Sequence, residues 1–138
     1  MFATTTALLR SCSTFLYGRR LYETMSVWET NPALAKQSDL TADFASAWQA
    51  ADKIVYSTTL TAVSTATTRL ERDFDPDAVQ ELKATATSDL TIGGANLAAQ
   101  AFAAGQIDQC QLLVWPMILG GGKPALPAGI RTDLELLD

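Results

Sequence analysis

Three short stretches of this chain carry residues that could bind something. Gly18-Arg19-Arg20 closes an apolar run at the start of a helix pattern, and Ser57-Thr58-Thr59 closes another apolar run. Ile92-Gly93-Gly94-Ala95-Asn96-Leu97 closes a third and opens a second helix. Glycine at a strand-to-helix turn leaves backbone N–H groups and the positive end of a helix dipole facing one point, where an anion can dock without a lysine. Glycines also let a flat ligand come close to the main chain. Two guanidiniums at a helix start are repelled by the dipole unless an anion joins them, and the plain alternative is an Arg19–Glu23 pair one turn apart. Hydroxyls such as Ser57, Thr58 and Thr59 hydrogen-bond phosphates and riboses, and they are equally at home in turns. For each stretch alone a ligand-free turn is an adequate account. Together they describe a phosphate-binding rim.

The missing residue types narrow the chemistry. The chain has no histidine, which removes Ser-His-Asp and Cys-His nucleophiles and the common zinc sites. Hydride transfer fits, because a bound cofactor brings the reactive atom and the protein positions it. No residue pattern designates a catalytic side chain. A net charge of −5 argues against sequence-independent nucleic-acid binding. No apolar run reaches membrane-spanning length and no signal segment leads the chain. Cys12 and Cys110 match no metal or redox spacing and are expected as reduced, packed thiols of a cytoplasmic protein.

The elements that must position those stretches can be read in order. Met1 to Ser11 has helical character, and a chain opening inside a helix points to something ahead of it. Thr14 to Tyr17 reads as a strand closed by Gly18, followed by a helix with Leu21, Met25 and Trp28 on one face and ended by Asn31-Pro32. Residues 33 to 40 read as a loop. Thr41 to Ala51 reads as a helix anchored in the core by Phe44 and Trp48, and Lys53 to Ser57 as a strand. Thr67 to Leu70 is a short strand candidate, and Asp75-Pro76 caps a helix that buries Val79 and Leu82. Leu90 to Ile92 reads as a buried central strand, followed by a helix whose stop is Gly105. Gln111 to Leu119 reads as a strongly apolar strand, residues 120–124 as a flexible loop, and Asp133 to Asp138 as the start of another strand. Alternating strands and helices predict an α/β domain with a mainly parallel sheet and helices on both faces, and ligands gather at the carboxyl ends of such strands. The segment from Leu112 to Leu119 is more apolar than a half-solvated strand needs, which predicts a homodimer; a fully buried strand is the alternative.

Five ordered motifs carry a resemblance. Leu16 to Glu23, Lys53 to Leu60, Leu90 to Leu97, Gly105-Gln106-Ile107-Asp108 and Pro116 to Pro124 are similar to cofactor-side motifs of the dihydrofolate-reductase-like superfamily. Their order resembles its riboflavin-biosynthesis branch, the reductase domain of the bacterial bifunctional deaminase-reductase and its stand-alone relatives. The likeness spans residues 8 to 138 and implies a single domain with a mixed, mainly parallel sheet. It implies NADPH as cofactor, with Arg19 or Arg20 near the phosphates and the Gly93-Gly94 turn under the pyrophosphate. It also implies a pyrimidine or pteridine-like heterocycle as substrate, the pathway's aminouracil first, and pairing of two copies. Family members usually begin with a strand and a Leu-Asp-Gly substrate loop and end with a completed strand pair, and neither has a counterpart here. Substrate contacts from that region therefore do not carry over. A non-catalytic nucleotide-binding or interaction protein on the same fold, or a dihydrofolate or pterin reductase, stays open beside the riboflavin-type reductase.

Overall fold

The computed structural model describes all 138 residues. Its elements in chain order are α1 (Phe2–Ser11), β1 (Cys12–Gly18), α2 (Arg19–Met25), α3 (Val27–Thr30), α4 (Pro32–Ala35), α5 (Asp39–Ala50), β2 (Asp52–Tyr56), β3 (Thr68–Glu71), α6 (Pro76–Thr85), β4 (Asp89–Gly93) and α7 (Ala95–Ala103). The four strands pair in parallel in the order β3-β2-β1-β4. Parallel strands need crossovers, and the helices that supply them cover both faces.

The period of two in β1 divides the core. Phe15 and Tyr17 point to one face, where they meet Tyr22, Val55 and the α5 anchors Phe44 and Trp48. Leu16 points to the other face and meets Ile54, Val79 of α6 and Leu97 of α7. Trp48 and Phe15 have no exposed surface, and Trp48 Nε1 donates to the Tyr17 hydroxyl at 3.1 Å. Phe2, Trp28 and Phe44 close the first layer with edge-on ring contacts of 4.8 to 5.8 Å. Such contacts add to the burial of the rings themselves.

One charged side chain lies inside that layer. Lys53 is 1 % exposed and donates to the carbonyls of Trp48 (3.0 Å) and Ala51 (2.7 Å) and to Thr67 Oγ1 (3.3 Å). Its ammonium also stands 4.3 Å from the centre of the Trp48 ring. Thr67, with φ +51°, is the one non-glycine residue at positive φ, and its hydroxyl in turn donates to the Ala51 carbonyl. Lys53 thus ties the end of α5, the start of β2 and the approach to β3. Burial lowers its pKa.

Local signals place most elements. Asp75 accepts from the Asp77 N–H with Pro76 at the first helical position. Ser38 and Thr41 form a reciprocal capping box at the start of α5. Gly105, at φ +69°, ends α7 as its position implied, with Gln106 N donating back to the Ala101 carbonyl.

Several expectations are corrected. The helix after Gly18 breaks at Ser26 and resumes, and the predicted loop 33–40 holds α4 and the first residues of α5. β4 is an edge strand, half-buried, rather than a central one. Cys12 is buried as expected, but Cys110 is exposed. Gln111 to Leu119 forms no strand and lies exposed, and neither does Asp133 to Asp138. An apolar run creates a demand for burial, and it becomes a strand only where another edge supplies its hydrogen bonds.

Candidate cofactor-binding cleft

The chain runs outward from β1 to β2 and β3, then returns to the other side of β1 as β4. In open parallel sheets the crevice where the order reverses is where ligands bind, because the two crossovers leave on opposite faces and part the loops above. Here that crevice lies between the ends of β1 and β4. A cleft of about 600 Å³ opens there, at the carboxyl ends of all four strands.

Two helices start at its floor. α2 follows Gly18 directly and α7 follows Gly94, and neither start has a side-chain cap. The first N–H groups of both helices are therefore free to meet a ligand. Gly94 has φ +102°, and a Cβ built on it would stand 3.3 Å from Gly18 N and 3.4 Å from Gly18 Cα. The two turns touch through bare backbone. A Cβ on Gly93 would meet Leu21 Cδ2 at 2.4 Å, so that glycine also answers to packing inside the protein.

The predicted residues gather here with two exceptions. Gly18, Arg19, Arg20, Ser57, Thr58, Thr59, Gly94, Ala95, Asn96 and Leu97 line the cleft. Ile92 and Gly93 stop short of it, since both pair with β1 in the sheet and Ile92 packs beside Leu16. Arg19 makes the intrahelical pair weighed above: its Nε donates to Glu23 at 2.9 Å, and its other branch donates to Thr59 Oγ1 at 2.8 Å. Arg20 is exposed and forms no ion pair. Ser57 Oγ accepts from the N–H groups of Thr59 (3.2 Å) and Leu60 (3.0 Å), so its hydroxyl shapes the turn. Thr58 is exposed at the tip of that turn.

Sequence reasoning missed four polar members of the wall. Arg72 and Asp73 follow β3, Gln100 lies on α7, and Lys123 comes from the glycine-rich stretch near the C-terminus. Arg72 donates to the carbonyls of Ser57 and Leu60, bracing the turn from below. Its place at a strand's carboxyl end was available as a signal, since the other three strand ends were singled out on that ground. Tyr56 and Phe74 add an aromatic ledge with ring centres 5.7 Å apart. Burial raises the Tyr56 pKa. Of the ten Lys and Arg residues in an acidic chain, Arg19, Arg20, Arg72 and Lys123 meet around this one opening, against the carboxylates of Glu23 and Asp73.

The profile of the RibD C-terminal domain family matches residues 3–137, nearly the whole chain. The chain belongs to that family. No curated protein matches it. The four-stranded parallel sheet with helices on both faces is the α/β, dihydrofolate-reductase-like fold of the RibD C-terminal domain. Domains of this family are typically oxidoreductases of riboflavin biosynthesis and generally bind NADPH. No helix is long and apolar enough to cross a membrane.

Proposed function

We propose that this RibD C-terminal domain binds NADPH in the cleft between β1 and β4. We further propose that, as one catalytic unit in the cytoplasm, it reduces a pyrimidine or pteridine-like heterocycle, the riboflavin-pathway aminouracil first. The single observation behind this reading is the meeting of two uncapped helix starts over the Gly18–Gly94 contact, under a rim with four cations. A dinucleotide carries a pyrophosphate, and backbone N–H groups at helix starts favour that charge. The residues present fit the cofactor: the glycines leave room for a pyrophosphate to reach the main chain, and the rim supplies its counter-charge.

The roles divide as follows. The N–H groups opening α7, at Ala95 to Leu97, and those opening α2 would hold phosphate oxygens. Arg20, free of partners, would supply a charge-assisted bond to a phosphate. Arg19 is held in place by Glu23 and Thr59 and presents its remaining donors to the opening. The Ser57–Thr59 turn, braced by Arg72, forms one wall, and the Tyr56–Phe74 ledge offers a flat apolar surface beside it. NADPH, when bound, supplies the hydride. The protein's part is to bind, orient and shield it.

A preference for NADPH over NADH follows from the cationic rim, with Asp73 the one opposing group that forms no ion pair. Fluorescence titration with both cofactors, followed by NADPH oxidation with aminouracils, pterins and folates, tests the reading. Tight NADPH binding with turnover of one heterocycle is the expected result. Binding without turnover of any of them would leave a non-catalytic nucleotide-binding protein, and equal affinity for the two cofactors would remove the assignment of the arginines.

A further inference from the structure

The Ser57–Thr59 wall of the cleft belongs to a connection whose main chain does not hold itself. Residues 57–67 carry the chain from β2 to the parallel β3, a crossover that usually contains a helix and here contains none. From Thr58 to Ser64 no main-chain group bonds to another main-chain group. Backbone N–H groups beside a core need acceptors, and here side chains supply them. Ser57 Oγ serves Thr59 and Leu60. Further along, the Ser64 N–H donates to the Tyr22 hydroxyl at 2.8 Å, and the Ala66 N–H donates to Glu29 Oε1 at 2.9 Å.

Tyr22 makes the larger share of these contacts. It is buried, and its hydroxyl also bonds Thr65 Oγ1 at 3.0 Å and Ser64 Oγ at 3.3 Å. Thr65 Oγ1 in turn meets Thr68 Oγ1, at the start of β3, at 2.7 Å. Leu60 and Val63 pack against the core that holds the Tyr22 ring. Arg19, one turn earlier on α2, donates to Thr59 Oγ1. α2 therefore grips the connection at two points, and the same helix opens at the floor of the cleft.

We propose that Tyr22 is a positioning residue for the cofactor cleft. It lies outside the cleft lining, and its hydroxyl holds the Ser57–Thr59 wall at a fixed distance from the start of α2. Wall and helix N–H groups are then in place before a phosphate arrives, which spares the ligand the cost of ordering them. Phenylalanine at this position keeps the ring in the core, leaves the Ser64 N–H without its acceptor and frees the connection to part from α2 between Thr59 and Ala66. The effect on NADPH rests on the cofactor reading, and the hold on the wall does not.

Tyr22→Phe, with Leu9→Ala as its control, tests this role. Leu9 is in the same core but on α1, away from the cleft. In amide exchange without ligand, Thr59 and Leu60, which donate to Ser57 and not to Tyr22, should lose protection in Tyr22→Phe beyond any loss in β1 and β2. Leu9→Ala should leave those two amides in step with the strands. NADPH affinity should fall by about tenfold in Tyr22→Phe, the equivalent of one lost hydrogen bond, and saturating NADPH should restore the protection. Leu9→Ala should bind NADPH as the unmodified chain does. Thr59 and Leu60 amides that stay protected in Tyr22→Phe overturn the proposal. So does an NADPH affinity that is unchanged in Tyr22→Phe, or lowered equally in both variants. An unmodified chain that binds no NADPH overturns the cofactor reading instead, and the exchange result alone then decides whether Tyr22 holds the wall.

Discussion

Replacing Gly94 by alanine puts a methyl group where the backbone of Gly18 already lies. Its φ of +102° is outside the range of an L-residue, a strain of about 1–2 kcal/mol. The new Cβ would also stand 3.3 and 3.4 Å from Gly18 N and Cα, closer than the roughly 3.5–4.0 Å of an ordinary contact. Neither neighbour is a flexible side-chain tip, so the two turns must part by a few tenths of an ångström, an overpacking cost of about 1–2 kcal/mol more. The expected loss is therefore about 2–4 kcal/mol, a large share of a stability of roughly 5–15 kcal/mol. Gly105→Ala is the matched control: φ is +69° and nothing lies within 4 Å of the new methyl, so only the conformational strain of about 1–2 kcal/mol applies. Urea unfolding of both variants reads the difference. NADPH titration should weaken for Gly94→Ala alone, because parting the turns separates the two helix starts. Equal stability losses would refute the close approach as an energetic feature, and unchanged NADPH affinity in Gly94→Ala would remove the cradle.

The remaining predictions use other parts of the structure. Arg20→Ala should weaken NADPH by about tenfold at low salt, and the difference should shrink as salt rises. Asp73→Asn should tighten NADPH by removing a carboxylate from the cleft, an effect that a titration at constant ionic strength detects. Arg72→Ala should lower stability by about 1–3 kcal/mol, since two carbonyls of the Ser57–Leu60 turn lose their donor. Burial pushes the Tyr17 hydroxyl from 10.0 up to about 12, so the folded state holds that proton longer than the unfolded one. Stability from this group is complete below pH 10 and should fall by about 3 kcal/mol as pH approaches 12. Lys53, with its pKa lowered, acts in the opposite sense up to its ordinary 10.5. Tyr17→Phe should abolish the alkaline loss while costing stability at neutral pH, where Trp48 Nε1 loses its acceptor. Unfolding midpoints across pH check both.

What could be read from the sequence was whatever a few neighbouring residues decide. The Asp75-Pro76 start, the Gly105 stop and the burial of Phe44 and Trp48 each depend on a cap or a period within one element. The convergence of Gly18, the Ser57–Thr59 turn and Gly94 was legible too, because a parallel sheet puts every strand's carboxyl end on one side. Partnership was not legible. Leu90 to Ile92 is apolar enough for a central strand, but only the pairing order makes it an edge. The hydroxyl of Ser57 could serve a ligand or its own turn, and the N–H groups of Thr59 and Leu60 take it. Lys123 reaches the cleft through a loop whose path no local pattern encodes.

The contact between Gly18 and Gly94 has a consequence for how this domain can diverge. At the Gly18–Gly94 contact the two helix starts meet main chain against main chain, with Leu21 packed over Gly93 beside it. The floor of the cleft should therefore be nearly intolerant of change, while its rim, at Arg20, Thr58, Asp73 and Lys123, is exposed and open to replacement. A saturation library selected for folding alone should be depleted at Gly94 and permissive at those four rim positions. Selecting the same library for different nucleotides should then redistribute only the rim. Under the proposed cofactor reading, holding an anion would fall to the backbone, and the choice of which anion to side chains that cost the fold little to exchange.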